Sequence, residues 1–443
     1  MSKNSTRGNG NVREAALSIL MAVEKNQAYS NLLLHNTIEK HGINPKDRSL
    51  LTEITYGTLQ HKMTLDYYLK PFLRGKIEDW VKQLLRISLY QLLYLSRVPA
   101  HAVVNEAVEI AKRRGHKGIS SMVNGVLRSI QRQGVRSLDD IADPIERLAI
   151  ETSHPLWMIK DWIKEYGFEK TREMAFENNR APVQTVRVNT FKTTIESVVE
   201  KLEEDGLKVE RSETVPECLY VTNGQAVRTT AFKEGLITIQ DESSMFPAHA
   251  LKVEPGMRVL DMCAAPGGKS THIAEKMENK GEIISLDLHE HKVKLIRENA
   301  ERLGLSIIQA ETADGRKAGE QFKTESFDRI LVDAPCSGLG VIRRKPDIKY
   351  TKTEQDAKSL QKIQLDLLDE AYTLLKPGGI LVYSTCTVEP TENREVSSQF
   401  MEKHPDMQAV DELSPLFPQK GMIQVLPQDF GSDGFFVAAF EKQ

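Results

Sequence analysis

MRVLDMCAAPGGKST (257–271) decides the fold class. An apolar run ends in an acid, passes a glycine pair and opens into a helix-compatible stretch, which reads as strand, tight turn, helix. Four more runs of the same type follow: EIISLDL (282–288), SIIQAET (306–312), DRILVDA (328–334) and GILVYST (379–385). They are apolar and β-branched without strict alternation, as strands buried on both faces are. HKVKLIRENAERLG (291–304) and EQDAKSLQKIQLDLLDEAYTLL (354–375) read as helices between them, and VAAFEK (437–442) as a last strand. Strand–helix alternation over residues 251–443 predicts a doubly wound α/β domain of the Rossmann type.

Working outward, residues 141–250 predict a linker and a small α+β module. SLDDIADPIERLAIETSHP (137–155) reads as a connector punctuated by Pro144 and Pro155. LWMIKDWIKEYG (156–167) and TIESVVEKLEEDG (194–206) read as helices; QTVRVNT, VERSET, CLYVTN and GLITIQD read as short strands. Residues 1–140 predict an all-α bundle of six or seven helices. VREAALSILMAVEKN (12–26) spaces Ala16, Ile19, Leu20 and Val23 at helical intervals, and Asp47 and Ser49 stand where a helix would be capped. The fold is therefore multidomain: a helical bundle, a small α+β module and a doubly wound α/β domain.

At 443 residues, 40% hydrophobic and 27% charged, the composition is that of a globular protein large enough for several cores. No stretch approaches the roughly 20 apolar residues of a membrane span. The first residues lack an apolar leader, so no signal peptide is expected. Four scattered cysteines argue against a disulfide framework and against a zinc site, so no metal is expected and the expected compartment is cytoplasmic. The net charge of −3 hides an asymmetry: residues 1–136 hold 21 Lys and Arg against 10 Asp and Glu, leaving −14 for the rest. Such a basic N-terminal region is expected to meet a polyanion.

The turn after the first α/β strand suits a ligand. Gly267 and Gly268 allow close backbone approach, and Lys269 opens a helix whose free N–H groups favour an anion. A triphosphate loop would need glycine where Cys263 stands, and GxGxxG is absent. Asp287 ends the second strand, 20 residues after Gly267, where an acid suits ribose hydroxyls. Asp314 follows the third strand, placed for an adenine amino group, and Asp333 ends the fourth. One such acid alone would be a cap or turn residue. Three after consecutive strands of one sheet describe S-adenosylmethionine.

Cys336 and Cys386 each follow a buried strand and so fall in the crevice beyond the carboxyl ends of the sheet. Their alternative is small apolar filler, the favoured reading for Cys218 and Cys263 as thiols. A thiolate adding to C6 of a pyrimidine makes C5 nucleophilic enough to take a methyl from a sulfonium. A polar group must steady charge at N3, and Asp333 is the candidate. Spacing does not decide which cysteine attacks. The basic loop IRRKPDIKY (342–350) after the first of them is expected to touch phosphates.

DMCAAPGGKS, DAPCSGLG and YSTCT together resemble the RNA (cytosine-5)-methyltransferases of the Sun/Fmu type, and VRVN (186–189) and GLITIQDESS (235–244) are similar to that family's pre-catalytic module. The basic helical start resembles the RNA-binding NusB fold. The resemblance implies Cys386 as nucleophile and Cys336 as the thiol that helps release the methylated base. It implies a cofactor site from Cys263, Ala264, Ala265, Pro266, Gly267, Gly268, Lys269, Asp287, Asp314 and Asp333. It implies 16S rRNA as partner, with tRNA, another RNA or a non-catalytic RNA-binding assembly role as alternatives. A monomer suffices. The target base must lie in a loop or be flipped out.

Overall fold

The computed structural model describes residues 11–26, 30–40 and 42–443. The first ten residues, which fall within the stretch where no signal peptide is expected, and His41, the last residue of a predicted helix, lie outside the described residues. The chain divides into two compact units: Met1–Arg180 with Ile342–Thr351, and Ala181–Val341 with Lys352–Gln443.

The first unit is helical. α1 (Val12–Asn26), α2 (Ser30–Lys40), α3 (Arg48–Gln60), α4 (Lys62–Leu69), α5 (Asp79–Tyr94), α6 (Ala100–Arg114) and α7 (Lys117–Gln133) form a bundle. Ala16, Ile19, Leu20 and Val23 of α1 are buried together with Leu51, Ile54, Leu84 and Leu127. Part of the positive charge is internal. Arg86 is 1% exposed and grips both carboxylate oxygens of Asp66 at 2.7 and 2.6 Å. The predicted connector holds a helix of its own, α8 (Pro144–Glu151), followed by α9 (Leu156–Tyr166) and α10 (Phe168–Glu177). Pro144 starts α8 rather than breaking it: it occupies the first turn, where no N–H is needed, and the Asp143 side chain caps the Ile145 N–H at 2.9 Å.

The basic loop also differs from expectation. Ile342–Thr351 is embedded in the helical unit, with Arg343, Asp347 and Lys349 buried. Lys349 Nζ donates to the carbonyls of Gln60 (2.9 Å) and Thr152 (3.3 Å) and to Asn179 Oδ1 (3.1 Å). Tyr350 donates to the Leu59 carbonyl at 2.9 Å. Lys349 therefore spends its donors on carbonyl oxygens inside the protein, and the segment does not present it to phosphate.

The second unit holds two sheets. The smaller comprises β1 (Gln184–Val188), β2 (Lys208–Arg211), β3 (Cys218–Asn223) and β4 (Ile237–Ile239), antiparallel in the order β2-β3-β1-β4. Helix α11 (Ile195–Glu204) buries Val198 and Leu202 against Val186, Val188 and Leu219. α12 (Thr230–Lys233) and α13 (Phe246–Ala250) follow. The larger sheet contains β5 (Arg258–Asp261), β6 (Glu282–Asp287), β7 (Ile308–Thr312), β8 (Phe327–Asp333), β9 (Leu375–Thr385), β10 (Met407–Ala409), β11 (Met422–Val425) and β12 (Phe435–Lys442). Its order is β10-β12-β9-β8-β5-β6-β7, with β11 beside β12. β10 and β11 are short strands that the apolar pattern does not announce. β5 to β9 are parallel and β12 is antiparallel. From β5 the chain proceeds to β6 and β7 on one side, then to β8 and β9 on the other. The carboxyl ends of β5 and β8 flank the point where winding reverses, and there an open α/β sheet leaves its crevice.

Candidate active site

Asp261 and Asp333 close β5 and β8, and the loops after β8 and β9 carry Cys336 and Cys386. The two sulfurs stand 3.3 Å apart. A cavity of about 490 Å³ opens beside them, within the range of sites for small ligands. Cys263, Ala265, Asp287, Asp314, Asp333, Cys336 and Cys386 line it. Leu288, Ala313, Ile363 and Leu367 add apolar wall. Leu288 is 56% exposed, unusual for leucine and explained by its place on this rim.

The rest of the expected loop shapes the cavity without lining it. The Ala264 N–H donates to the Leu286 carbonyl at 2.8 Å, and the Pro266 carbonyl accepts from Asn299 at 2.9 Å. Gly267 has φ +98°, which favours glycine, and a Cβ there would press on the Cα of Ile296 at 3.1 Å. Helix α14 (Gly268–Lys276) starts directly after it. Lys269, in its first turn, reaches Asp333 Oδ2 at 2.7 Å, while Ser384 Oγ donates to Oδ1 at 2.8 Å. Burial opposes the Lys269 charge, but Asp333, Cys386 and Asp261 together hold its pKa above the ordinary value.

The acids differ in their partners. Asp287 accepts the His289 N–H at 3.1 Å, with Lys292 3.7 Å away. Asp314 caps a short 3₁₀ turn and takes the Arg316 guanidinium at 2.6 Å; that hydrogen bond holds its carboxyl below the usual range despite slight burial. Asp261 is fully buried, accepts from Ser270 at 2.6 Å, and leaves Oδ1 without a partner. Burial pushes its pKa up to about 7. The sequence pattern showed Asp261 only as the end of a strand; its position one strand from Asp333 is what makes it part of the site. Cys263 is pushed up by burial among these acids. Cys336 is raised first by its hydrogen bond with Cys386, then by burial and by the negative charges of Glu392 and Asp333.

The smaller sheet docks on this site through the VRVN stretch. Arg187, fully buried in β1, grips Glu275 of α14 at 2.9 and 2.8 Å. It also donates to the Gly268 carbonyl at 2.8 Å and to Thr271 at 3.0 Å. Helix α15 (Glu290–Leu303) is tied in as Asn189 donates to the Leu303 carbonyl at 3.0 Å. Arg187 thereby holds α14 at both its first turn and its last.

One cluster in this unit, Glu217, His249 and His272, has the residue types of a cation site. Both Nε2 atoms approach one oxygen, Glu217 Oε1, at 2.8 and 2.7 Å, and Lys276 approaches it at 3.5 Å. His272 Nδ1 has no acceptor of the kind that orients a metal-bound imidazole. The cluster is a hydrogen-bonded buried carboxylate. Among the described residues no helix is long and apolar enough to cross a membrane.

Comparison with known proteins agrees with this architecture. Residues 248–441 match the family described as 16S rRNA methyltransferase RsmB/F. Residues 10–132 match the NusB family, and residues 154–228 match a ferredoxin-like domain of RsmF/B-like methyltransferases. The chain is 53% identical to the probable ribosomal RNA small subunit methyltransferase B of Bacillus subtilis, over 98% of this chain and 99% of the relative. It is 34% identical to ribosomal RNA small subunit methyltransferase B of Serratia proteamaculans, over 98% of this chain and 100% of the relative. Among solved structures, PH0851 matches with a TM-score of 0.82 at 29% identity, covering 98% of both chains. A methyltransferase homolog protein from Pyrococcus horikoshii matches 68% of this chain and 100% of its own with a TM-score of 0.59 at 30% identity. With whole-length identity of this order, a matching three-part architecture and paired thiols beyond the carboxyl ends of β8 and β9, the chain belongs to the RsmB/F family of 16S rRNA methyltransferases.

Proposed function

We propose that this protein methylates C5 of a cytosine in small-subunit ribosomal RNA through a covalent bond between Cys386 and C6. The observation that carries the proposal is the 3.3 Å approach of Cys336 and Cys386 at one wall of the cavity that holds Asp287, Asp314 and Asp333. The residues fit S-adenosylmethionine: an acid for the ribose, Asp287; an acid near the adenine edge, Asp314; and apolar wall from Leu288 and Ala313 for the ring. The cofactor supplies the methyl group as an electrophilic sulfonium. The loop Cys263–Lys269, with Ala264, Ala265, Pro266, Gly267 and Gly268, shapes the floor.

Cys386 Sγ adds to C6, and the C5–C6 π electrons move to C5, which takes the methyl. Loss of the C5 proton to a base and breakage of the C6–S bond then restore the ring and the thiolate. Cys336 suits the partner role. Its raised pKa keeps it protonated beside Cys386, so its S–H can donate to the neighbouring sulfur as that sulfur leaves. Asp333, as a carboxyl that carries or shares a proton with Lys269 behind it, donates to N3 and so steadies the negative charge that addition puts on the ring. Residues 1–140 bind RNA, 141–250 form a linker and a small RNA-binding α+β module, and 251–443 perform the chemistry, in a cytoplasmic monomer.

The test is methyl transfer from labelled S-adenosylmethionine to purified small-subunit rRNA and, separately, to tRNA, with nucleosides identified by mass spectrometry. 5-Methylcytidine in the rRNA is expected. Product in tRNA alone would assign another RNA, and no product in either would leave only an RNA-binding role.

A further inference from the structure

The two thiol loops are held from behind by adjacent residues of one turn. Glu392 and Asn393, buried, follow the β9 loop and precede α18 (Arg394–Lys403). Glu392 Oε2 accepts the Ser337 N–H at 2.8 Å and Gln364 Nε2 at 3.1 Å. The same Gln364 Nε2, on α17 (Glu354–Leu374), donates to the Pro335 carbonyl at 3.0 Å. The peptide groups on both sides of Cys336 are thus clamped by one carboxylate–amide pair. Asn393 does the same for the other loop. Its Oδ1 accepts the Thr385 hydroxyl at 2.5 Å, and its Nδ2 donates to the Thr387 carbonyl at 2.9 Å and to Gln424 Oε1 at 2.7 Å. Cys386 lies between those two threonines. Ser337 and Thr387 close the frame at 2.9 Å, and the Tyr383 hydroxyl fixes the turn through the Glu392 carbonyl at 2.5 Å.

We propose that Glu392 and Asn393 are positioning residues that set the distance between the Cys336 and Cys386 sulfurs. Neither touches the cavity; each acts through the cysteine loop it holds. Because they are consecutive, any movement of one loop is transmitted to the other through a single peptide bond. The catalytic consequence rests on the proposed roles of the two thiols, but the geometric one does not.

Two readouts separate them. Phenylarsine oxide condenses with two neighbouring thiols, forming two As–S bonds and releasing water, and bridging is followed by intact mass without RNA or cofactor. The wild-type protein is expected to take up one bridging arsenical that C386S does not. E392A removes the acceptor for Ser337, and N393D turns a donor into a carboxylate facing two oxygens. Each is expected to slow bridging and to lower kcat by ~10-fold or more, with the Kd for S-adenosylmethionine unchanged, since displacements of about 1 Å suffice for such losses. E392Q keeps one oxygen for Ser337 and Gln364 and is expected to restore bridging. If E392A does not melt cooperatively, Q364L tests the same side. Wild-type bridging rates in N393D and in E392A or Q364L would overturn the proposal. Slowed bridging in a protein that methylates no RNA would uphold it and fail the functional reading instead.

Discussion

Lys269 Nζ stands 2.7 Å from Asp333 Oδ2, so the acid that closes β8 and the first turn of α14 are joined by one ion pair. Lys269 also lies close enough to Cys386 for their charges to interact. A cation there favours an attacking thiolate. K269M is expected to lower kcat and to move the rise of rate with pH to higher pH. The pH profile of kcat at saturating substrate checks this; an unmoved acid limb would detach Lys269 from the thiol.

C386A is expected to abolish methyl transfer with cofactor binding intact. C336A is expected to add to the base and then fail to release it, leaving protein on RNA. A denaturing gel after incubation with rRNA and S-adenosylmethionine distinguishes the two: a slow covalent band for C336A, none for C386A. A methylating C386A would reverse the assignment, and C336A without a band would remove its release role.

Much of this site is legible in the sequence because parallel strands put their last residues in one crevice. Cys336, Cys386, Asp287 and Asp333 each sit at or just past a strand end, so a strand list places them together. Asp261 has the same position, but it reads as the end of a strand rather than as a member of the site. Glu392 and Asn393 carry no such mark: Glu392 holds Ser337 and Gln364, and Asn393 ties its own loop to Gln424, all distant in sequence. Two local patterns mislead for physical reasons. Pro144 looks like punctuation but opens α8, because the first turn of a helix needs no N–H there. Lys349 looks like one more phosphate-facing residue of a basic loop, yet carbonyl oxygens satisfy it inside the helical unit. Charge pattern shows that donors exist, not where their acceptors are.

Asp261 gives a pH signature. Its unfolded carboxyl titrates at 3.8 and the folded one near 7, so the folded chain holds the extra proton between those values. This contribution to stability is full below about pH 4 and is lost as pH rises through 7. It is on the order of 1–4 kcal/mol. D261N keeps an acceptor for Ser270 and removes the titration. Its Tm is expected to fall less than that of the wild type between about pH 5 and pH 8. Parallel Tm curves would show that Asp261 stays ionised.

Lys349 separates two views of the basic segment in one variant. With all three N–H donors turned inward, it donates to three oxygens: those of Gln60, Thr152 and Asn179. K349M keeps the stem and takes the donor from the Gln60 carbonyl and Asn179 Oδ1, while the Thr152 carbonyl keeps Asn179 Nδ2 at 2.7 Å; each group left unpaired costs about 1–3 kcal/mol. Partial rescue by relaxation makes a total near ~3 kcal/mol the expected loss. It is read as a lowered urea midpoint and as new proteolytic cleavage between residues 342 and 351. RNA binding, measured well below that midpoint, answers the other view. A lysine on phosphate contributes about one to the slope of log K against log salt. The slope for K349M is expected to equal that of the wild type. A slope reduced by about one with stability unchanged would return Lys349 to the RNA.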